Sequence, residues 1–304
     1  MRQPTARAAE IFRRYEEIRH RLPTANFPAA SQSIDHLQDL ADEIDVFFLD
    51  AFGVLNVGDS PVPGAVERLD ALAALGKQIF VITNGASYSA AHALEKYQSF
   101  GFDFAPHQVI SSRNTARAAL MTFASDLIWG VVAMPAADLG EIDAKTVLLL
   151  DNPETYDEVD GVLFLSSAEW TPARQILLTR SLKNNPRPFL VGNPDLVAPR
   201  EYGLSLEPGF YAHELADNTG IKPQFFGKPF ASIFNYGLAQ SALKDIPKHR
   251  IAMVGDTLHT DILGGAAAGI RTVLITDHGL LKDENIPELI ATSGIVPDFV
   301  SRTT

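Results

Sequence analysis

Two apolar runs that each end in an aspartate set the limits on how this chain folds. Val46-Phe47-Phe48-Leu49 delivers Asp50, followed by Ala51-Phe52-Gly53-Val54-Leu55. Ile251-Ala252-Met253-Val254-Gly255 delivers Asp256, with Thr257-Leu258-His259-Thr260 leading on to Asp261. Short apolar runs closed by turn residues are the pattern of strands buried on both faces. A buried strand that hands a carboxylate to the loop beyond it is how open α/β sheets build their sites, because ligands lie outside the carboxyl ends of the strands.

The segments around these runs alternate between strand and helix periodicity. Strands are expected at Val46–Asp50, Gln78–Thr83, Val109–Ser111, Ile251–Asp256 and Arg271–Thr276, and helices at Gly64–Leu75, Ser87–Phe100, Phe230–Leu243 and Thr260–Ala268. Such alternation predicts a doubly wound, mostly parallel α/β sheet with helices on both faces. The middle of the chain carries a second set, with strands near Leu127–Ala133, Val147–Leu150, Val159–Leu165 and Phe189–Val191 and a helix at Pro172–Leu182. Ahead of everything, Ala8, Ile11, Phe12, Tyr15, Ile18 and Leu22 recur at helical spacing until Pro23, and a second helix is expected to end near Ile44. The expected organisation is an N-terminal helical extension over 1–43, a core domain over 44–115 and 222–304, and an inserted domain over 116–221.

Composition narrows the partners. With 46% hydrophobic and 20% charged residues, the 304-residue chain can bury a large core. Its net charge of −12 argues against nucleic acid or an anionic membrane as a partner, since both reward basic surfaces. The absence of cysteine excludes disulfides, thiolate metal sites and thiol catalysis. The N-terminus lacks a secretory apolar core, and no stretch has the uninterrupted apolar length of a membrane span, so a cytoplasmic location is expected.

Six positions carry chemistry. Asp50 is placed to act as a carboxylate nucleophile and magnesium ligand, or else to cap a turn, with Gly53 letting the backbone bend sharply behind it. Thr83 and Asn84 close the next strand and can donate to phosphate oxygens, or simply cap the following helix. Lys228, in Phe226-Gly227-Lys228-Pro229, is either a solvated loop residue, as a lysine between Gly and Pro usually is, or re-enters the core after the insert, where an ammonium can pair with both Asp50 and a phosphate. Asp256 is the expected direct ligand of magnesium, which favours carboxylate oxygens plus water. Asp261 either holds a metal-bound water or caps a helix.

In this order the motifs resemble those of the haloacid dehalogenase-like (HAD) hydrolase superfamily, and more closely its class IIA phosphatases, the nitrophenyl, sugar and nucleotide phosphatase branch. The insert between Thr83 and Lys228 and the segment Val191-Gly192-Asn193-Pro194-Asp195 support that subclass. The resemblance implies a Rossmann-like core with an α/β cap. It implies an aspartyl-phosphate on Asp50, and magnesium held by Asp50, Asp256 and the main-chain carbonyl of Phe52, with Asp261 behind them. Thr83, Asn84 and Lys228 would then hold the phosphoryl group, and Asn193 and Asp195 would line the leaving-group pocket. A small phosphorylated metabolite would be the substrate, and the cap would offer a homodimer surface.

Two positions depart from the family pattern. Phe52 stands where the phosphatases carry the aspartate that protonates the leaving group, a contribution typically worth about 10²–10⁴-fold. His259 stands where an acid is common, and is expected as a loop histidine facing solvent. Three functions follow: an inefficient phosphatase or one suited to good leaving groups, a non-catalytic phospholigand-binding relative, and a 2-haloacid dehalogenase-type hydrolase. Members of that last group carry an aromatic residue at the Phe52 position and use no metal; the retained Asp256 and Asp261 speak against it. Phosphonate cleavage would need a cap lysine as Schiff base, and none of Lys145, Lys183 and Lys222 stands out.

Overall fold

The computed structural model describes residues 8–200 and 203–304. In chain order it runs α1 (Ala8–Glu17), β1 (Gln32–Ser33), β2 (Val46–Leu49), β3 (Asn56–Val57), β4 (Ser60–Pro61), α2 (Ala65–Ala74), β5 (Gln78–Thr83), α3 (Ala90–Ser99), β6 (Val109–Ser111) and α4 (Ser112–Leu120). The middle supplies β7 (Ile128–Val132), β8 (Lys145–Leu148), α5 (Pro153–Glu158), β9 (Gly161–Phe164), α6 (Pro172–Asn184), β10 (Phe189–Val191), β11 (Val197–Arg200), β12 (Gly203–Leu206), α7 (Pro208–Thr219) and β13 (Gln224–Phe225). The chain closes with α8 (Ala231–Leu238), β14 (Ile251–Gly255), α9 (Leu263–Ala268), β15 (Arg271–Ile275), α10 (Ile286–Ser293) and β16 (Phe299–Ser301).

The core is a seven-stranded sheet in the order β1-β16-β15-β14-β2-β5-β6, parallel throughout. The two aspartate-bearing strands are therefore neighbours at its centre, with Leu49 in register with Val254. Both deliver their carboxylates at the same edge, across a crossover that contains the whole middle of the chain. β2 is buried along its length because both its faces are covered, and the pleat sends alternate residues to opposite sides. Phe47 and Leu49 pack with Leu69 and Leu72 of α2, while Val46 and Phe48 pack with Ile233 and Phe234 of α8.

The second sheet, β13-β10-β9-β7-β8, is also parallel and rises over the same edge. Leu178 and Leu182 of α6 and Ala212 and Leu215 of α7 cover one face; Trp129, Leu163 and Leu190 pack with Ala116 and Leu120 of α4 on the other. This sheet draws its strands from 128 to 225, so its last strand lies beyond the expected return to the core at residue 222. An antiparallel hairpin, β11–β12, leans from this unit toward the core. The α/β architecture is thus a doubly wound parallel core with an inserted α/β cap.

Two expected helices differ in the structure. The second N-terminal helix is replaced by β1, which pairs with edge strand β16, and by a short 3-10 turn at Leu37–Leu40. A two-residue polar strand has no periodicity to read; it forms because an exposed sheet edge offers backbone partners. The helix expected from Thr260 begins instead as a π turn over Leu258–Ile262 before α9. Among the described residues, no helix is long and apolar enough to cross a membrane.

Candidate active site

The site is assembled at the carboxyl ends of β2, β5 and β14. The Asp50 N–H donates to Val254 O at 2.8 Å, extending the β2–β14 pairing to the strand tip, and Asp50 Oδ1 accepts from Ala51 N at 2.7 Å. Gly53 turns the chain with φ +74°, and a Cβ there would meet Asp256 Oδ2 at 2.7 Å. A side chain at this position would be both strained and in collision, so glycine is required. Asp256 Oδ1 accepts from Thr257 Oγ1 at 2.9 Å and Oδ2 from Leu280 N at 2.6 Å, which fixes both oxygens. Asp261 is fully buried and accepts from Thr257 N at 3.1 Å; it fits because Gly255 has no Cβ, which would lie 2.0 Å from Asp261 Cγ.

Lys228 closes the cluster. Its Nζ lies 2.5 Å from Asp50 Oδ1 and 2.7 Å from Asp261 Oδ1, and the side chain is almost wholly buried. Asn84 sets its position: Asn84 Oδ1 accepts from Lys228 N at 2.7 Å, and Nδ2 donates to Lys228 O at 2.9 Å and to Asp195 Oδ1 at 2.7 Å. Those bonds occupy both amide protons, so the Asn84 side chain orients the lysine and ties the cap's Asp195 to the core. Only its main-chain N–H is left to offer an incoming phosphate. Thr83 lines the cavity, its hydroxyl accepting from Gly85 N at 3.1 Å. Asn193 is a cap scaffold residue: it donates to Glu207 Oε2 at 3.1 Å and accepts from Asp195 N at 2.9 Å.

The charges are arranged for a cation. Burial pushes the Asp50 carboxyl well above its usual range, Lys228 opposing and Asp261 and Asp256 reinforcing the shift. Burial and the neighbouring Asp261 raise Asp256 to about 6. Burial raises Asp195 to about 7 against the pull of Lys228 and Asn84. For Lys228 burial acts downward, but Asp261, Asp50 and Asp195 outweigh it and hold the ammonium charged. Asp50, Asp256 and Asp261 each offer one carboxylate oxygen, all within 4.8 Å of one another. Asp261 Oδ1, although near Lys228, accepts no aligned hydrogen bond. Three carboxylates against one ammonium, Asp256 and Asp261 buried and Asp50 partly so, form a donor set suited to a hard divalent cation.

The cavity beside this cluster is lined by both domains, with Phe52, Lys96 and Tyr97 from the core, Asn193, Asp195 and Arg200 from the cap, and Tyr15 from α1. Neither Lys96 nor Arg200 was foreseen; on the sequence they are one base on a helix and one in a loop. Tyr15, expected only as a helix-face residue, reaches the cavity rim and accepts from Leu196 N of the cap at 3.2 Å. His259 does not face solvent. It is buried, stacked on Tyr15 with ring centroids 4.8 Å apart, and its Nε2 lies 2.5 Å from Glu16 Oε1. The covering segment lies more than 240 residues earlier in the chain, so no local pattern around His259 announces it.

A doubly wound core, a nucleophile-type aspartate at one central strand tip, an acidic pair at the next and a lysine between them define a HAD-type hydrolase with a class IIA cap. A family model for haloacid dehalogenase-like hydrolases matches residues 47–139, and a HAD-hydrolase-like model matches 225–301, on either side of most of the cap. The chain belongs to this family. It is 27% identical over 247 residues to an acid sugar phosphatase of Staphylococcus aureus, covering 79% of this chain and 91% of that protein. The structure of a possible sugar phosphatase from Cytophaga hutchinsonii superposes with a TM-score of 0.79 at 26% identity, over 90% of this chain and 98% of that one. A 4-nitrophenylphosphatase from Thermotoga maritima does so at 0.70 and 25%, over 87% and 96%.

Proposed function

We propose that this chain is a magnesium-dependent phosphate-monoester hydrolase working through an aspartyl-phosphate on Asp50. The observation that carries the reading is Lys228 Nζ bridging Asp50 and Asp261 inside a cluster of three carboxylates, two of them buried. Relatives named as sugar and nitrophenyl phosphatases support the same reaction class.

Asp50, Asp256 and the Phe52 carbonyl would hold the metal, with Asp261 behind it. Magnesium would screen the repulsion between the Asp50 carboxylate and the phosphate dianion. Asp50 attacks phosphorus as the bond to the leaving oxygen breaks. Lys228, Thr83 and the main-chain N–H of Asn84 hold the phosphoryl oxygens in place. Water then cleaves the acyl phosphate, releasing inorganic phosphate and restoring Asp50. Phe52 has no proton to give, so the departing oxygen draws its proton from solvent or leaves as a stable anion. Aryl and acyl phosphates should therefore turn over faster than alkyl phosphates.

A panel of nitrophenyl, acetyl, sugar and nucleotide phosphates, assayed with and without magnesium, tests this. Expected is magnesium-dependent turnover that disappears in Asp50→Asn, with rates rising as the leaving group becomes more acidic. Absence of turnover above the Asp50→Asn blank across the panel rejects hydrolysis and leaves a phospholigand-binding protein.

A further inference from the structure

Two cations from different domains lie against the ring of Phe52. Lys96 Nζ of α3 lies 5.3 Å from the ring centroid, and Arg200 Cζ of the cap hairpin lies 5.9 Å from it. Both side chains line the same cavity as Asp50 and Asp256. The arrangement runs against the composition of the chain, whose net charge is −12.

An aspartate at position 52 would sit against these cations and neutralise them. The phenyl ring attracts them only through its quadrupole and leaves their charge available. Their other partners offset them in part. Lys96 lies 3.6 Å from Asp59, a side chain almost wholly in solvent and so strongly screened, and donates to Gly58 O at 3.4 Å. Arg200 donates to Glu207 Oε1 at 2.9 Å and to Ser205 Oγ at 2.8 Å. Among the described residues those contacts engage two of its five donors. Burial pulls the Lys96 ammonium below its usual pKa, with Asp59 opposing, as expected of a cation short of solvation. Glu207 balances Arg200, whereas the solvent-screened Asp59 balances Lys96 only weakly, so the pair is left with room for a single negative charge.

We infer that the leaving group of the substrate carries a carboxylate, which Lys96 and Arg200 clasp above the Phe52 ring; the substrate class is a small phosphorylated hydroxy acid. The inference rests on the phosphatase reading for its reaction but on its own residues for selectivity. The acidic cluster with Lys228 and the pair Lys96 and Arg200 line one cavity, so a dianionic phosphate and a distal carboxylate can be received together. Because one cation belongs to the core and the other to the cap, the distal anion also draws the two domains together across the cavity.

Ethyl phosphate, phosphoglycolate and phosphoethanolamine share a two-carbon leaving group and differ in its distal charge: neutral, negative and positive. With magnesium present, kcat/KM is expected to favour phosphoglycolate over ethyl phosphate by about tenfold or more, with phosphoethanolamine slowest. That ratio should fall about tenfold in Lys96→Met and in Arg200→Gln and persist in Lys96→Arg. A wild-type ratio near one, or a ratio untouched by both charge-removing variants, overturns the inference. Calorimetric binding of the same three ligands to Asp50→Asn separates the two claims. A phosphoglycolate preference that Lys96→Met abolishes there sustains this site even if no ester is hydrolysed. Equal binding of all three ligands rejects it.

Discussion

Arg113 shows how much of the molecule turns on single buried charges outside the motifs. Its side chain is 2% exposed, with Nε 2.5 Å from Glu141 Oε1, Nη1 donating to Ala86 O at 3.3 Å and Nη2 bonded to Asp138 O. One guanidinium on α4 thus joins the loop after β5 to the cap. Removing one partner of a buried, hydrogen-bonded pair leaves the other unpaired, at a cost of about 3–5 kcal/mol. Arg113→Met is expected to lower stability by about 3 kcal/mol in urea unfolding; a loss under 1 kcal/mol would show that the cap is held without it. The contrast with Lys228 explains what the sequence disclosed at this scale. Lys228 was legible because it stands just where the chain re-enters the core after the insert, and because Asp50 ends an unmistakable strand. Arg113 sits among small polar residues on a helix, and its partners are two main-chain carbonyls and a glutamate that no spacing rule connects to it. Phe52 was legible as a departure, but the cations around it were not, since one comes from a helix face and the other from a hairpin too short to show alternation.

Among elements, α1 and the turn after it were readable as an amphipathic helix, yet their place was not. The apolar face of α1 packs Ile11, Phe12 and Tyr15 against Leu258 and Ile262 of the π turn and Leu196 of the cap. Arg14 of its polar face and Arg21 of the turn after it pair with Asp217 of α7, and Arg21 Nη1 also donates to His213 O at 3.2 Å. The pattern says only that one face is buried; what buries it is decided by surfaces 180 or more residues away. This docking has a consequence in acid. His213 is 1% exposed, stacks on Phe225 with centroids 4.6 Å apart, and its Nδ1 has no hydrogen-bond partner. Burial first, and then the positive Arg21 and Arg14, lower its pKa to about 3 from an ordinary value of 6.5. A base whose folded pKa lies below its unfolded value is protonated first in the unfolded chain. Its contribution is therefore intact above about pH 6.5 and is lost as the pH falls toward 3. His213→Phe, which keeps a flat ring in place, should remove part of that acid sensitivity. Relative to wild type, its stability is expected to improve by about 2 kcal/mol between pH 7 and pH 4 in denaturant titrations. Parallel pH profiles would mean that His213 is protonated in the folded protein.

On the scale of the whole molecule, the question is whether core and cap behave as one body. The alternation of strands and helices made two sheets predictable, but not the ties between them: Asn84 to Asp195, Arg113 to Glu141, and α1 lying across both. The two tryptophans, Trp129 and Trp170, are both buried in the cap, whereas the acidic cluster belongs to the core. Tryptophan fluorescence therefore reports unfolding of one domain while magnesium would bind the other. A ligand that binds only the folded state stabilises it by about 2.7 kcal/mol at a hundred times its Kd. In a protein of this size that corresponds to a rise in Tm of about 4 °C. If the ties make the domains cooperative, magnesium should raise the fluorescence midpoint by the same amount as the midpoint seen by far-UV circular dichroism. Asp256→Asn, which removes one of the proposed ligands, should erase both shifts. A shift seen by circular dichroism but not by the tryptophans would show that the cap melts independently of the site it covers. The salt links and the Asn84–Asp195 bond would then be contacts of a movable lid. Equal shifts would mean that cation binding in the core is felt through Asp195 and Arg113 as far as the cap sheet, so that the cavity between Phe52 and Arg200 is organised before any substrate enters it.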